Sequence, residues 1–204
     1  MNSARVTRYA LLLVLTAMSF GCVNFQVDLA YRPEGGHKSP LSTIKPLVFA
    51  IQVDDQRNPK ERDRLTWIAS VKANRDVVLV LHEALKTELE NNGHNVRALK
   101  DADVNATVHF VLKKYWCCDS RFFGYLESPR WIATINGDLE ILDAKNERLV
   151  SKPVSSTYLR SGQTNRDERL EIPLNGVLSE FIRNWARDPS IVNALQGIQR
   201  EKHK

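Results

Sequence analysis

The first 22 residues constrain this chain most. Arg5 and Arg8 precede an uncharged stretch, residues 9–20, centred on Leu11-Leu12-Leu13-Val14-Leu15 and followed by Gly21-Cys22. That run is well short of the ~20 apolar residues a helix needs to cross a bilayer. Its basic flank, apolar centre and small-residue exit are those of a secretory signal peptide, so the fold must be built from the residues beyond Cys22. Over all 204 residues, 43% are hydrophobic and 26% charged, which excludes a disordered chain, a collagen-like repeat and a multi-span membrane protein. The length allows one domain or two small ones, and three cysteines are too few for a disulfide-stapled scaffold.

Residues 18–22 resemble a bacterial lipobox, with Gly21 and Cys22 carrying the match. The resemblance implies that residues 1–21 are removed and that Cys22 becomes the lipidated N-terminus, the contact with the membrane. An ordinary secretory signal, or an uncleaved anchor with Cys22 incidental, are the other readings of the same residues. Loss of Arg5 and Arg8 takes the net charge from +5 to +3. Val23, not Asp, follows the cysteine, and by resemblance to enterobacterial sorting rules that implies the outer membrane. Residues 22–46, with Gly35-Gly36 and three prolines, read mainly as a tether, with a short strand available around Phe25, Val27 and Leu29.

Residues 47–53 are an apolar run suited to a buried strand that ends at Asp54-Asp55. A charged loop spans 56–64. Leu65, Trp67, Ala69 and Val71 alternate with Thr66, Ile68 and Ser70 and predict a second strand. Asn74 stands at an N-cap position and Asp76 in the first turn of a helix. Its apolar face is Val78, Leu81, Leu85 and Leu89, flanked by Val77 and Ala84, and Gly93 ends it. Three strands over 107–115, 130–142 and 149–158 are spaced as an antiparallel meander, with a turn at 143–147. Residues 160–169 read as a loop. Leu174, Val177, Leu178, Phe181, Ile182 and Trp185 fall at helical spacing, and Asp188-Pro189 opens a last short helix. The order predicts an α+β fold over 47–204: two layers, a mostly antiparallel sheet (meander 107–158) with helices on one face.

These positions resemble the YajG-type family of bacterial lipoproteins. The likeness rests on Asp54-Asp55-Gln56-Arg57, Leu65-Thr66-Trp67-Ile68, Leu89-Glu90-Asn91-Asn92-Gly93 and Asp188-Pro189-Ser190. The family implies a cell-envelope lipoprotein and supplies no catalytic residues.

The chain carries no phosphate-cradling glycine loop, no His-Glu-x-x-His and no Gly-x-Ser-x-Gly, and its five histidines are scattered. The expectation is a protein that is not an enzyme and has no metal site or cofactor. Cys117-Cys118 is a candidate redox pair or, with Asp119 and His109, half of a metal site; two thiols pointing opposite ways is the plainer reading. Tyr115, Trp116, Arg121, Phe122, Phe123 and Tyr125 are candidate partner-binding residues, because rings interleaved with arginine at a strand connection are the types enriched in binding hot spots. Core packing of the same rings is the alternative. Asp54 and Asp55 could serve a cryptic hydrolase as acid and base, or close a strand structurally with Arg57 pairing locally. An exported chain at +3 leaves no nucleic-acid footprint. The expectation is therefore a lipid-anchored, non-enzymatic component of the envelope, facing the periplasm and binding another envelope protein. The alternative ligand is a glycan or lipid, such as peptidoglycan or lipopolysaccharide.

Overall fold

The computed structural model describes residues 25–33, 38–62, 64–66, 71–119, 130–161 and 168–201. Its strands are β1 (Phe25–Val27), β2 (Val48–Asp55), β3 (Val71–Ala73), β4 (Asn95–Val96), β5 (Ala106–Asp119), β6 (Arg130–Asp143) and β7 (Arg148–Ser161). Its helices are α1 (Pro59–Arg62), α2 (Val77–Asn91), α3 (Glu168–Arg187) and α4 (Pro189–Glu201). The fold is α+β, as the sequence predicts. Five strands form one sheet in the order β4-β2-β5-β6-β7, and β1 and β3 pair as a separate parallel ribbon. That ribbon stands outside a strict two-layer arrangement. Strands β5, β6 and β7 are the predicted meander, whereas β4 and β5 both run parallel to β2.

Alternation along β6 separates the faces. Trp131, Ala133, Ile135, Leu139 and Ile141 are buried, while Ile132, Thr134, Asn136, Asp138 and Glu140 are partly exposed. The buried face meets α2 and α3, which also touch each other. All six residues of the predicted 174–185 stripe are in this core. At the end of α3, Asp188 accepts from the Ser190 backbone N–H at 2.9 Å and starts α4 at Pro189.

Helix α2 starts two residues later than expected. Its N-cap is Asp76, whose carboxylate accepts from the Val78 N–H at 2.8 Å, while Asn74 instead donates to Asp28. The buried face is Val77, Val80, Leu81, Ala84, Leu85 and Leu89, with Val78 only half-buried. Gly93 ends the helix at φ 88°, the left-handed conformation that glycine adopts without strain. Among the described residues the predicted 65–71 strand contracts to β3; residues 67–70 lie outside them.

The tether expectation is corrected. Leu29 and Leu41 are fully buried, Ile44 nearly so, and all three belong to the core. Polar clamps hold the same stretch. Ser39 donates to Asn92 Oδ1, Asn175 bridges Ala30 N–H and the Asp28 carbonyl, and Tyr31 donates to Glu88 at 2.6 Å. His94 completes the set: its Nδ1 accepts from the Leu47 N–H at 3.2 Å, which leaves Nε2 to donate to the Leu41 carbonyl at 3.1 Å. Hydrophobic residues separated by prolines look like a linker in sequence because nothing local shows what they pack against.

Candidate functional site

A β-bulge decides which of the singled-out residues are reachable. The β5–β6 register shifts between Leu112 and Lys114, with Gly137 opposite Leu112. Lys113 is the extra residue, and both lysines face solvent. Past the bulge, alternation therefore restarts with Tyr115 and Cys117 on the helix face and Trp116 and Cys118 on the other. Tyr115 is 1% exposed and donates its phenol hydrogen to the Leu174 carbonyl at 3.0 Å. Burial pushes its hydroxyl well above the usual tyrosine range. Trp116 is 7% exposed although it lies on the face away from the helices. Tyr115 and Trp116 are thus packed inside the fold, which corrects their assignment as surface contacts. Arg121, Phe122, Phe123, Tyr125 and Cys22 lie outside the described residues.

Cys117 is fully buried and Cys118 half-buried, with its Sγ near the Ile132 carbonyl at 3.7 Å. Successive strand residues point their Cβ atoms to opposite faces, so these two sulfurs cannot join while the strand is intact. The redox-pair reading is corrected on that ground. The described residues hold no cluster of three or more His, Cys, Asp or Glu able to bind a metal ion.

Asp54 and Asp55 also point to opposite faces, which removes the acid–base pairing. On the solvent face Asp54 meets His109 Nε2 at 2.8 Å, His109 Nδ1 lies 3.5 Å from Glu140, and Glu140 meets Arg148 at 3.0 Å. This is a cross-strand ladder of polar side chains over β2, β5, β6 and β7, the kind of cross-strand pairing that stabilises sheet neighbours. On the helix face Asp55 accepts from Arg57 Nε at 3.0 Å, Arg57 Nη2 at 2.7 Å and the Arg57 backbone N–H at 3.0 Å. Burial raises the Asp55 carboxyl, but the Arg57 hydrogen bonds and charge outweigh it and hold the group below the usual carboxylate range. The local Arg57 pairing matches the structural reading of the sequence.

Arg57 is the buried floor of a larger feature. A cleft of about 380 Å³ opens beside it, lined by Asp55, Arg57, Arg62, Lys72, Arg75 and Asp76 among others. It sits at the carboxyl end of β2. From β2 the chain crosses through α2 to β4 on one side, then returns to β5 on the other, so this end is a topological switch point, where α/β sheets open crevices. The Arg57 guanidinium is 3% exposed, and its Nη1 has no hydrogen-bond partner among the described residues. Sequence reading isolated the basic loop but not its union with Lys72 and Arg75; the only signal was the recurrence of basic residues on both sides of the β3 segment. A smaller cleft, about 200 Å³, lies between β7 and the α3–α4 corner around Ser156, Asn184 and Trp185, with the Lys152–Asp188 ion pair at one side.

No protein-family model matches the chain, and no curated protein sequence does. Solved structures do. A Xanthomonas campestris protein of the DUF330 family superposes with a TM-score of 0.58 at 8% identity, covering 89% of this chain and 100% of that one. An uncharacterised protein reaches 0.52 at 11% identity, covering 80% and 96%. Lipoprotein B of Nitrosomonas europaea has a score of 0.47 at 11% identity, covering 82% and 95%. At these identities the first two comparisons establish a shared fold.

Proposed function

We propose that this chain is a lipid-anchored, non-enzymatic component of the bacterial cell envelope, of the YajG type, held at the outer membrane through Cys22 and binding another envelope protein. The anchor reading rests on the basic flank, apolar centre and Gly21-Cys22 exit of the N-terminus. The observation that carries the binding reading is the length of the β5–β6 hairpin. Strand β5 last pairs with β2 at Leu112, yet stays paired with β6 to Asp119, opposite Trp131. The hairpin outruns the parallel part of the sheet, and the sequence that joins its two strands includes Arg121, Phe122, Phe123 and Tyr125. Aromatic and arginine residues are the side chains that most often anchor protein interfaces. With Tyr115 and Trp116 committed to packing, these four are the binding residues of the proposal.

The test is photo-crosslinking in intact cells with a photoreactive residue at Phe123 and, as control, at Leu79, which is 56% exposed on α2. A discrete protein adduct from position 123 alone is the expected result. Adducts from neither position, in a chain shown to sit in the membrane fraction, refute the hairpin surface. An adduct carrying glycan or lipid selects the alternative ligand class. Separately, Cys22→Ser is expected to move the protein out of the membrane fraction.

A further inference from the structure

The two edges of the sheet differ. One is β4, two residues long and protected by its shortness; the other is β7, with fourteen residues. Hydrogen bonds fix which backbone groups of β7 point away from the sheet. The Asp143 N–H donates to the Glu147 carbonyl at 2.9 Å, so the odd-numbered residues of β6 turn their backbone groups toward β7. The far side of β5 gives the same phase: Cys117 N–H donates to the Leu65 carbonyl, which turns Trp116 and Cys118 toward the even-numbered residues of β6. On β7, Val154, Ser156, Tyr158 and Arg160 therefore pair with β6. Pro153, Ser155, Thr157, Leu159 and Ser161 turn their backbone groups outward, where no described strand accompanies them. Protection of this edge ends halfway along it. Up to Pro153 it carries a bulge at Leu149, the Lys152 charge and a proline without an N–H. From Val154 to Leu159 there is no bulge, proline or charge, and Leu159 is 62% exposed. Such an edge is a template for another strand.

We propose that the strand it takes is β7 of a second copy of this chain, paired antiparallel about a two-fold axis at Thr157. In that register Thr157 faces its own counterpart, Ser155 faces Leu159, and Pro153 faces Ser161. All of these residues turn their backbone groups outward, so each opposed pair exchanges hydrogen bonds, with Pro153 at the end of the run as an acceptor only. One edge thus supplies both halves of a closed interface. Centring the axis on Ser155 instead brings Pro153 against Thr157 and breaks the ladder, and centring it on Leu159 shortens the run. The charges agree with the register. Within Pro153–Ser161 the one charged residue is Arg160, which falls opposite Val154, so no cation meets a cation. On the solvent face the exposed Leu159 lies diagonal to Pro153 of the other copy, within reach of an apolar contact. The interface does not use Arg121, Phe122, Phe123 or Tyr125, and either reading can fail without the other.

The full chain is studied in a density-matched detergent by sedimentation equilibrium over a concentration series, with the protein mass as the readout. A reversible dimer is expected. Thr157 is exposed, so a charge there leaves the fold in place, and unchanged thermal midpoints verify this. Thr157→Lys sets two like charges against each other at the axis and should raise the dissociation constant about tenfold or more. Thr157→Glu should do the same. An equimolar mixture of the two variants places Lys opposite Glu and should restore the dimer, a result that pairing elsewhere on the molecule does not produce. A wild-type chain that stays monomeric throughout the series overturns the proposal. So do dimers of Thr157→Lys as tight as the wild type, or a mixture that associates no better than its components.

Discussion

Tyr115 on β5 and Leu174 on α3 are joined by a hydrogen bond of 3.0 Å from the phenol to the backbone carbonyl, inside the core. The ring is held by packing and the hydroxyl by one acceptor. Tyr115→Phe therefore removes the hydrogen bond and keeps the volume, with an expected loss of about 1 kcal/mol. Urea unfolding followed by tryptophan fluorescence should show a lower midpoint with an unchanged slope. No change in midpoint would mean that the bond adds nothing.

Gly137 faces Leu112 at the bulge, and a Cβ there would lie 2.2 Å from the Val111 carbonyl oxygen and 2.7 Å from the Phe110 ring. Phe110 in turn is fully buried and packs on Phe181, with ring centroids 4.9 Å apart. Gly137→Ala is expected to cost about 1–3 kcal/mol, read as a fall in denaturant midpoint. Gly197→Ala, where a Cβ meets nothing within 4 Å, is the matched control and should not destabilise.

Asp55→Asn leaves the Arg57 guanidinium buried beside a neutral amide. Loss of one partner of a buried pair should cost about 3 kcal/mol. The pH dependence has a fixed sign, because the folded carboxyl titrates below its ordinary 3.8. The pair's contribution is complete above that value and is lost as pH falls through it toward the folded pKa. The Asn variant should lose that part of the acid-unfolding slope.

Burial depresses the His94 imidazole below its ordinary 6.5. The unfolded chain therefore binds a proton at a pH where the folded chain still excludes it, and stability drains away as pH drops below that value. Thermal midpoints between about pH 5 and about pH 7.5, above the carboxylate range, should rise with pH. His94→Gln, which can also accept from Leu47 and donate to Leu41, should flatten that rise. An equally steep rise in the variant would place the effect elsewhere.

Cys118 is half-buried and Cys117 fully so, on opposite faces of β5. Maleimide followed by peptide mass mapping should modify Cys118 in the folded protein and Cys117 only after denaturation. Labelling of both at equal rates would contradict the register after the bulge.

The bulge also shows what the sequence could and could not reveal. The helix stripe at 174–185, the meander and the Gly93 stop are all written in local periodicity, and the structure reproduces them. Periodicity says which residues share a face, but not which face is covered. An unbulged strand would carry Leu112 inward together with Lys114, Trp116 and Cys118, and nothing in the 112–118 sequence marks Lys113 as the residue to be skipped. The Arg57 cleft was hidden for a related reason. Arg57, Lys72 and Arg75 converge only because β2 and α2 run antiparallel on the sheet, a consequence of the crossover to β4. The burial of Leu29, Leu41 and Ile44 was invisible because their contacts are supplied by α2 and α3, far away in the chain.

The pairing of β1 with β3 begins at Phe25, three residues after Cys22. With the acyl chains on Cys22, as proposed, at most ~10 Å of extended backbone separates the bilayer surface from the folded body. Such a protein has almost no leash. So anchored, it would not swing outward from the membrane, and the ribbon that holds Phe25–Val27 would restrict its orientation over the lipid. Under the proposed anchor, a partner would have to come to the membrane to be met.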